Sequence, residues 1–179
     1  VNNLIFVTET NNFNFPGNSF LFASLINLNS NIKLYDLNSG CTGFVDAIDL
    51  ASNLNGKSLI VCSETYSKHI NKFDRTTSAI FSDGGSVFYF NKKNLKLIKT
   101  FKFFRKNSFK DLYSQEKNLF MDGAKVYDFV NYEVIKLLKS IISKNKKIKV
   151  LFNHQASLTV ENLIKEKLKN HKLIIPSNI

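Results

Sequence analysis

Asp36-Leu37-Asn38-Ser39-Gly40-Cys41-Thr42-Gly43-Phe44 is the stretch on which the reading of this chain turns. Upstream of it, Ile32–Leu37 is an apolar run of strand length. Downstream, Phe44, Val45, Ile48 and Ala51 recur at helical spacing until Asn55-Gly56 supplies a stop. A strand therefore runs through a tight turn of small residues into a helix that opens near a cysteine. A helix start leaves unpaired N–H groups and partial positive charge beside the sulfur, which favours thiolate and offers donors to a developing oxyanion. The same residues also suit a small buried Cys, and the segment alone leaves both readings open.

Outward from this stretch, strand-like and helix-like segments alternate. Leu4–Val7 reads as a buried strand, Gly17–Ile26 as a helix and Ser58–Cys62 as a further strand. Ser78–Phe81 and Ser86–Phe90 flank Ser82-Asp83-Gly84-Gly85, which reads as a turn, and Leu95–Phe104 as a strand without an assigned partner. Val126, Val130, Val134, Leu137, Leu138 and Ile141 mark a long helix ending near Lys144. Lys149–Phe152 is a short strand that delivers His154 into a loop ahead of a helix over Ser157–Asn170. The polar, basic stretch Phe104–Asn118 is the one excursion from this alternation, which predicts α/β layers with sheet covered by helices.

Composition narrows the classes. With 179 residues, 44% hydrophobic and 13% aromatic, the chain can bury one domain core, and no run approaches the ~20 apolar residues of a membrane span. The first residues lack the basic start and cleavage site of a signal peptide, so a cytoplasmic location is expected, with no membrane partner. Two cysteines and three histidines at unrelated spacings predict neither a disulfide framework nor a metal site. The net charge of +11 is uneven: residues 1–90 hold 5 basic and 7 acidic side chains, and 91–179 hold 20 and 7. That basic half either attracts an acidic partner or reflects Lys at solvated positions in a chain rich in Asn, Lys and Ile. His154, taken alone, is a structural hydrogen-bonder or a catalyst.

The ordered motifs carry further than the periodicity. Asp36–Phe44 resembles the nucleophile segment of the beta-ketoacyl-acyl carrier protein synthase III family, and Asn153-His154-Gln155-Ala156 resembles its histidine motif. Thr8-Glu9-Thr10, Phe15-Pro16-Gly17, Cys62-Ser63-Glu64, Asp74-Arg75-Thr76-Thr77, Phe81-Ser82-Asp83-Gly84 and Met121-Asp122-Gly123 fall in the family order around them. The resemblance implies a thiolase-like layered αβαβα fold, incomplete in this chain, with 1–90 part of the N-terminal half and 91–179 part of the C-terminal half. It implies a homodimer, acyl-CoA and an acidic acyl carrier protein as partners, no nucleic acid, and no cofactor beyond acyl-CoA as substrate.

By the same resemblance Cys41 accepts an acyl group from acyl-CoA, and malonyl-acyl carrier protein is then decarboxylated and condensed with it, His154 stabilising the enolate. Arg75 matches a contact to the nucleotide end of CoA, Phe81 a wall of the acyl pocket, and Phe15 a residue that reaches the partner subunit. The chain departs from the family at Ser86, Ser157 and Thr159, and the glycine-asparagine motif that supplies the family's third catalytic residue is expected beyond Ile179. Transfer to an alcohol or amine without decarboxylation, and an inactive fragment or dimer partner, are the alternatives.

Overall fold

The structure is a computed structural model that describes residues 1–95, 99–116 and 118–177. It divides into two compact units, one of residues 1–69 and 81–104, the other of 70–80 and 105–179.

The first unit is built on four strands in the order β2-β1-β3-β4, where β1 is Asn3–Val7, β2 Lys33–Leu37, β3 Ser58–Thr65 and β4 Asp83–Phe90. Strand β1 lies parallel to both neighbours, Val7 standing opposite Leu37 on one side and Cys62 on the other, while β4 runs antiparallel to β3. A central strand buried on both faces has no polar side to show, which is why Leu4, Ile5, Phe6 and Val7 form an unbroken apolar run. Its alternate side chains serve two cores. Ile5 and Val7 pack with Ala47, Ala51, Ile60 and Phe90 under helix α2 (Gly43–Asn53). Leu4 and Phe6 pack with Val61 and with Ala23 of helix α1 (Asn18–Leu25).

Helix α2 meets the sheet through small residues. Gly43, Ala47 and Ala51 form its buried stripe, and a Cβ on Gly43 would lie 2.3 Å from Val7 Cγ1. This corrects the apolar side expected from Phe44 and Val45, both of which are exposed; the Phe44 ring instead stands edge-on to Phe88, 5.5 Å between centroids. Close approach of helix to sheet selects for absent side chains, and a hydrophobic stripe alone does not register that.

Two further expectations change. Asp83-Gly84-Gly85 is not a turn: these residues open β4 and pair with Thr65, Glu64 and Ser63, because β3 runs three residues past Cys62. The positive-φ glycines are Gly40 and Gly56 instead. Ser78 closes a short helix, α3 (Arg75–Ser78), so it does not flank a hairpin. Leu95 and residues 99–104 of the expected Leu95–Phe104 strand carry no strand structure, and residues 96–98 lie outside the described residues. Lys102 in this segment is tied to α2, with Nζ 2.7 Å from Asp46 and 3.5 Å from Asp49, and Thr100 donates to Asp49 at 3.1 Å.

In the second unit, a hairpin of β5 (Leu112–Gln115) and β6 (Asn118–Met121) occupies part of the basic stretch read as an excursion, its Tyr113 and Phe120 rings stacked at 5.0 Å. The long helix appears as α4 (Gly123–Asp128) and α5 (Ile135–Lys144) joined by a π-helical turn over Phe129–Val134. Ile135 and Ile142 pack with Ile164 and Leu168 of α6 (Leu158–Leu168). The short strand at Lys149–Phe152 reduces to one parallel bridge, Val150 opposite Ile174. Its hydrogen bonds run from Leu151 N–H to Ile174 O and from Ile174 N–H to Lys149 O, 2.9 Å each.

Candidate active site

Strand β2 ends at Leu37, and the chain passes through Asn38 and Ser39 into a single 3-10 turn, Gly40–Thr42, before α2 begins at Gly43. Gly40 takes a left-handed backbone (φ +51°), which a side chain would oppose. Thr42 closes the turn, its N–H 3.2 Å and its hydroxyl 2.8 Å from the Ser39 carbonyl oxygen. Cys41 therefore sits two residues ahead of α2 and is exposed, whereas Cys62 is half-buried in β3. The exposure excludes the reading of Cys41 as a core residue.

The carboxylates around this turn were not legible as site residues. Glu64, at the end of β3, accepts hydrogen bonds from the Glu9 N–H at 2.8 Å, the Thr10 hydroxyl at 2.7 Å and the Thr8 hydroxyl at 3.3 Å. Glu9 accepts the Gly40 N–H and so touches the cysteine turn directly. The signal in the sequence was a repeated ending: Thr8-Glu9-Thr10 follows β1, Ser63-Glu64-Thr65 closes β3, and the two strands are parallel neighbours.

The electrostatics follow from this company. Local burial pushes the Cys41 thiol above its ordinary range, a hydrogen bond from its own N–H opposes that, and Glu9 and Glu64 raise it further. These influences, burial first and the two carboxylates after it, oppose the preference for thiolate expected at the helix start. Tyr66, in a 3-10 turn over Tyr66–Lys68 that follows β3, is raised by burial and then by Glu64, Glu9 and Cys41. Its ring stands edge-on to Phe81, 5.0 Å between centroids, so Phe81 belongs to the same unit and neighbourhood as the turn. Phe15 is 87% exposed beside Phe13, Pro16, Phe20 and Leu21 in an apolar depression of about 280 Å³.

Arg75 and His154 belong to the second unit. Asp74 caps α3, accepting from the Thr76 N–H at 2.9 Å, the Thr76 hydroxyl at 2.6 Å and the Thr77 hydroxyl at 2.8 Å, and this fixes the backbone from which the exposed Arg75 projects. Asp74 and Thr76 also line an open depression of about 590 Å³ with Lys110, Phe120, Met121 and Asp122. His154 lies in the loop after the Val150–Ile174 bridge, exposed on one side and packed enough on the other that burial lowers its pKa, favouring neutral imidazole. The loop is held at both flanks: Gln155 Nε2 donates to the Pro176 carbonyl at 3.0 Å, and Ser157 caps α6 through the Val160 N–H at 3.3 Å. Among the described residues no group of His, Cys, Asp and Glu is arranged to hold a metal ion, and no helix is long and apolar enough to cross a membrane.

The arrangement can present a sulfur nucleophile on a rigid turn with N–H donors beside it, and a neutral imidazole on a separate, braced loop. Residues 35–105 match the sequence model of 3-oxoacyl-[acyl-carrier-protein] synthase III. A Campylobacter jejuni protein provisionally named 3-oxoacyl-[acyl-carrier-protein] synthase 3 is 28% identical over 98% of this chain and 59% of its own length. The beta-ketoacyl-[acyl-carrier-protein] synthase III of Streptococcus agalactiae is 28% identical over 84% of this chain and 54% of its own. The solved structure of the Thermus thermophilus synthase III superimposes with a TM-score of 0.77 at 26% identity, covering 94% of this chain and 59% of that one. The priming beta-ketosynthase of the R1128 polyketide pathway shares the fold, at TM-score 0.83 and 20% identity over 98% of this chain and 60% of its own. The chain thus spans somewhat more than half the length of the relatives it matches, and within that span it is similar to 3-oxoacyl-[acyl-carrier-protein] synthase III proteins and shares their thiolase-like α/β fold.

Proposed function

We propose that the protein is an acyltransferase in which Cys41 takes an acyl group from acyl-CoA and, in the whole protein, passes it to malonyl-acyl carrier protein in a decarboxylative condensation. The observation that carries this reading is the exposed cysteine on a strand–turn–helix elbow inside the segment that matches the family. Cys41 Sγ, as thiolate, attacks the thioester carbonyl, the oxyanion forms and collapses, and CoA leaves with its sulfur while the acyl group stays on Cys41. Decarboxylation of the malonyl group then supplies an enolate that attacks the acyl-cysteine and releases the Cys41 thiolate. A neutral His154 can donate a hydrogen bond to the enolate oxygen, a role a protonation state set by burial supports.

In this reading Arg75 contacts the nucleotide end of CoA, Phe81 walls the acyl site, and Phe15 meets a second subunit of a homodimer. Residues 1–90 and 91–179 are then parts of the two related halves of the family fold. No cofactor other than the CoA substrate takes part, and the acidic carrier protein meets the basic second half of the chain. The reaction is cytoplasmic in this proposal.

Incubation with a short acyl-CoA, followed by intact mass and peptide mapping, tests it. A single acyl group on Cys41, absent in Cys41→Ala, is expected. An adduct on Cys62, or none on Cys41, overturns the assignment. In the full-length protein His154→Ala should keep the acyl-enzyme and lose condensation; loss of acylation with decarboxylation spared would make His154 a general base for transfer to another acceptor.

A further inference from the structure

Two carboxylates, Glu9 and Glu64, lie near Cys41, and two further titratable groups flank its turn. Glu9 comes from the end of β1 and Glu64 from the end of β3, and Tyr66 follows β3. Asp46, in the first turn of α2, is held by Lys102 and lies within 3.5 Å of the Thr42 hydroxyl. Among these, Glu64 is engaged with Thr8, Glu9 N–H and Thr10, all away from the cysteine turn. Asp46 reaches the turn through side chains, whereas Glu9 bonds to its backbone. It accepts the Gly40 N–H, and the Asn38 side-chain amide lies 2.5 and 3.0 Å from its two oxygens, a contact that becomes a pair of hydrogen bonds with the NH₂ turned towards them. Two points of a four-residue turn, one of them in a left-handed conformation, thus converge on one half-buried carboxylate.

We infer that Glu9 is a positioning residue for Cys41, whose carboxylate fixes the Asn38–Cys41 turn and places a negative charge beside it. The inference rests on Cys41 being the reactive thiol, and it adds a second residue that sets when that thiol reacts. Burial and the neighbouring Glu64 raise the Glu9 carboxyl itself, while the bond from Gly40 opposes them, so the turn bond and the charge are coupled. The two effects separate by substitution. Glu9→Gln keeps an acceptor oxygen for the Gly40 N–H and removes the charge, and Glu9→Asp keeps the charge and shortens the reach.

The test is the pH profile of Cys41 alkylation by iodoacetamide in the 179-residue chain, read by peptide mass between pH 6.5 and 9.5. Removing one nearby charge should shift the Glu9→Gln profile to lower pH and make alkylation at pH 7.5 roughly threefold faster than in the parent. The gain should shrink in 1 M salt, which screens charges. Glu9→Asp should keep the slow parent rate at pH 7.5. Labelling of Cys62 reports folding in each variant, because a rise at both cysteines together marks an opened chain. A Glu9→Gln profile that superimposes on the parent, with Cys62 still protected, overturns the inference. So does a gain in Glu9→Asp equal to that in Glu9→Gln, which would mean loosening rather than charge. Failure of the acyl-acceptor reading shows separately, as the absence of acyl adduct on Cys41 in the parent chain.

Discussion

Ser67 gives both its donors to Asp83: its N–H reaches one carboxylate oxygen at 2.7 Å and its hydroxyl the other at 2.6 Å. The pair joins the turn after β3 to the first residue of β4, so the Tyr66 ring that covers Phe81 is anchored one residue from this clamp. The Ser67 hydroxyl, then its N–H, hold the Asp83 carboxyl below the usual carboxylate range. A carboxyl depressed in the folded state stabilises above its unfolded pKa, and that contribution is lost as pH falls through the folded value. The thermal midpoint of the parent should therefore fall more steeply than that of Asp83→Asn between pH 4.5 and pH 2.5. Parallel curves would show the clamp to be dispensable.

Gly43 is where α2 touches Val7. Gly43→Ala should destabilise by about 1–3 kcal/mol, since an added Cβ would overlap a short, buried side chain that has no free end to move. That corresponds to a lower melting midpoint by about 2–4 °C for each kcal/mol. The double variant Gly43→Ala with Val7→Ala should recover part of the loss seen in Val7→Ala alone. A Gly43→Ala protein as stable as the parent would contradict the packing.

Asp36 ties the end of β2 to the start of α1 by accepting the Ser19 N–H at 2.9 Å and the Ser19 hydroxyl, and Ser19 is fully buried. Asp36→Ala leaves that N–H and hydroxyl without their partner. A loss of about 1–3 kcal/mol in urea unfolding is expected, and an unchanged midpoint would argue that Ser19 finds another acceptor.

Cys41 and Cys62 should separate by accessibility. Both thiols are pushed up by burial and by Glu64, so labelling of either should rise with pH, but Cys62 lies in a strand paired on both sides. Iodoacetamide at pH 8.5 should modify Cys41 roughly tenfold faster than Cys62. Equal rates would remove the distinction between an exposed nucleophile and a sheet residue.

His154 should titrate below the ordinary histidine range of about 6.5, because burial disfavours its charged form. An imidazole NMR titration of the folded chain, with resonances assigned by His→Gln variants, should give His154 a midpoint under that value. A midpoint above it would mean that an unseen acid partner sets its charge, and would move His154 from hydrogen-bond donor towards proton shuttle.

Much of this was written locally. The apolar run at Leu4–Val7, the strand into the Gly40-Cys41 turn, the helix after it and the Ser157 cap before α6 are each fixed by residues within a few positions of one another, where period and turn chemistry act. By itself, then, the sequence determined the strand–turn–helix that presents Cys41, the loop that presents His154 and, through their order, the resemblance to synthase III proteins. What tertiary structure decided were relations between distant segments. The pairing of β1 with β3 brings Glu9 and Glu64 together, and their charges add to burial in opposing the local helix effect on the thiol. The contact of Gly43 with Val7 chooses the buried face of α2 over the more hydrophobic one. The extension of β3 to Thr65 makes a strand of Asp83-Gly84-Gly85, whose composition reads as a turn. Local signals report the conformations a segment prefers, whereas charge–charge effects and close packing depend on which segments meet, and only the folded chain brings them within range.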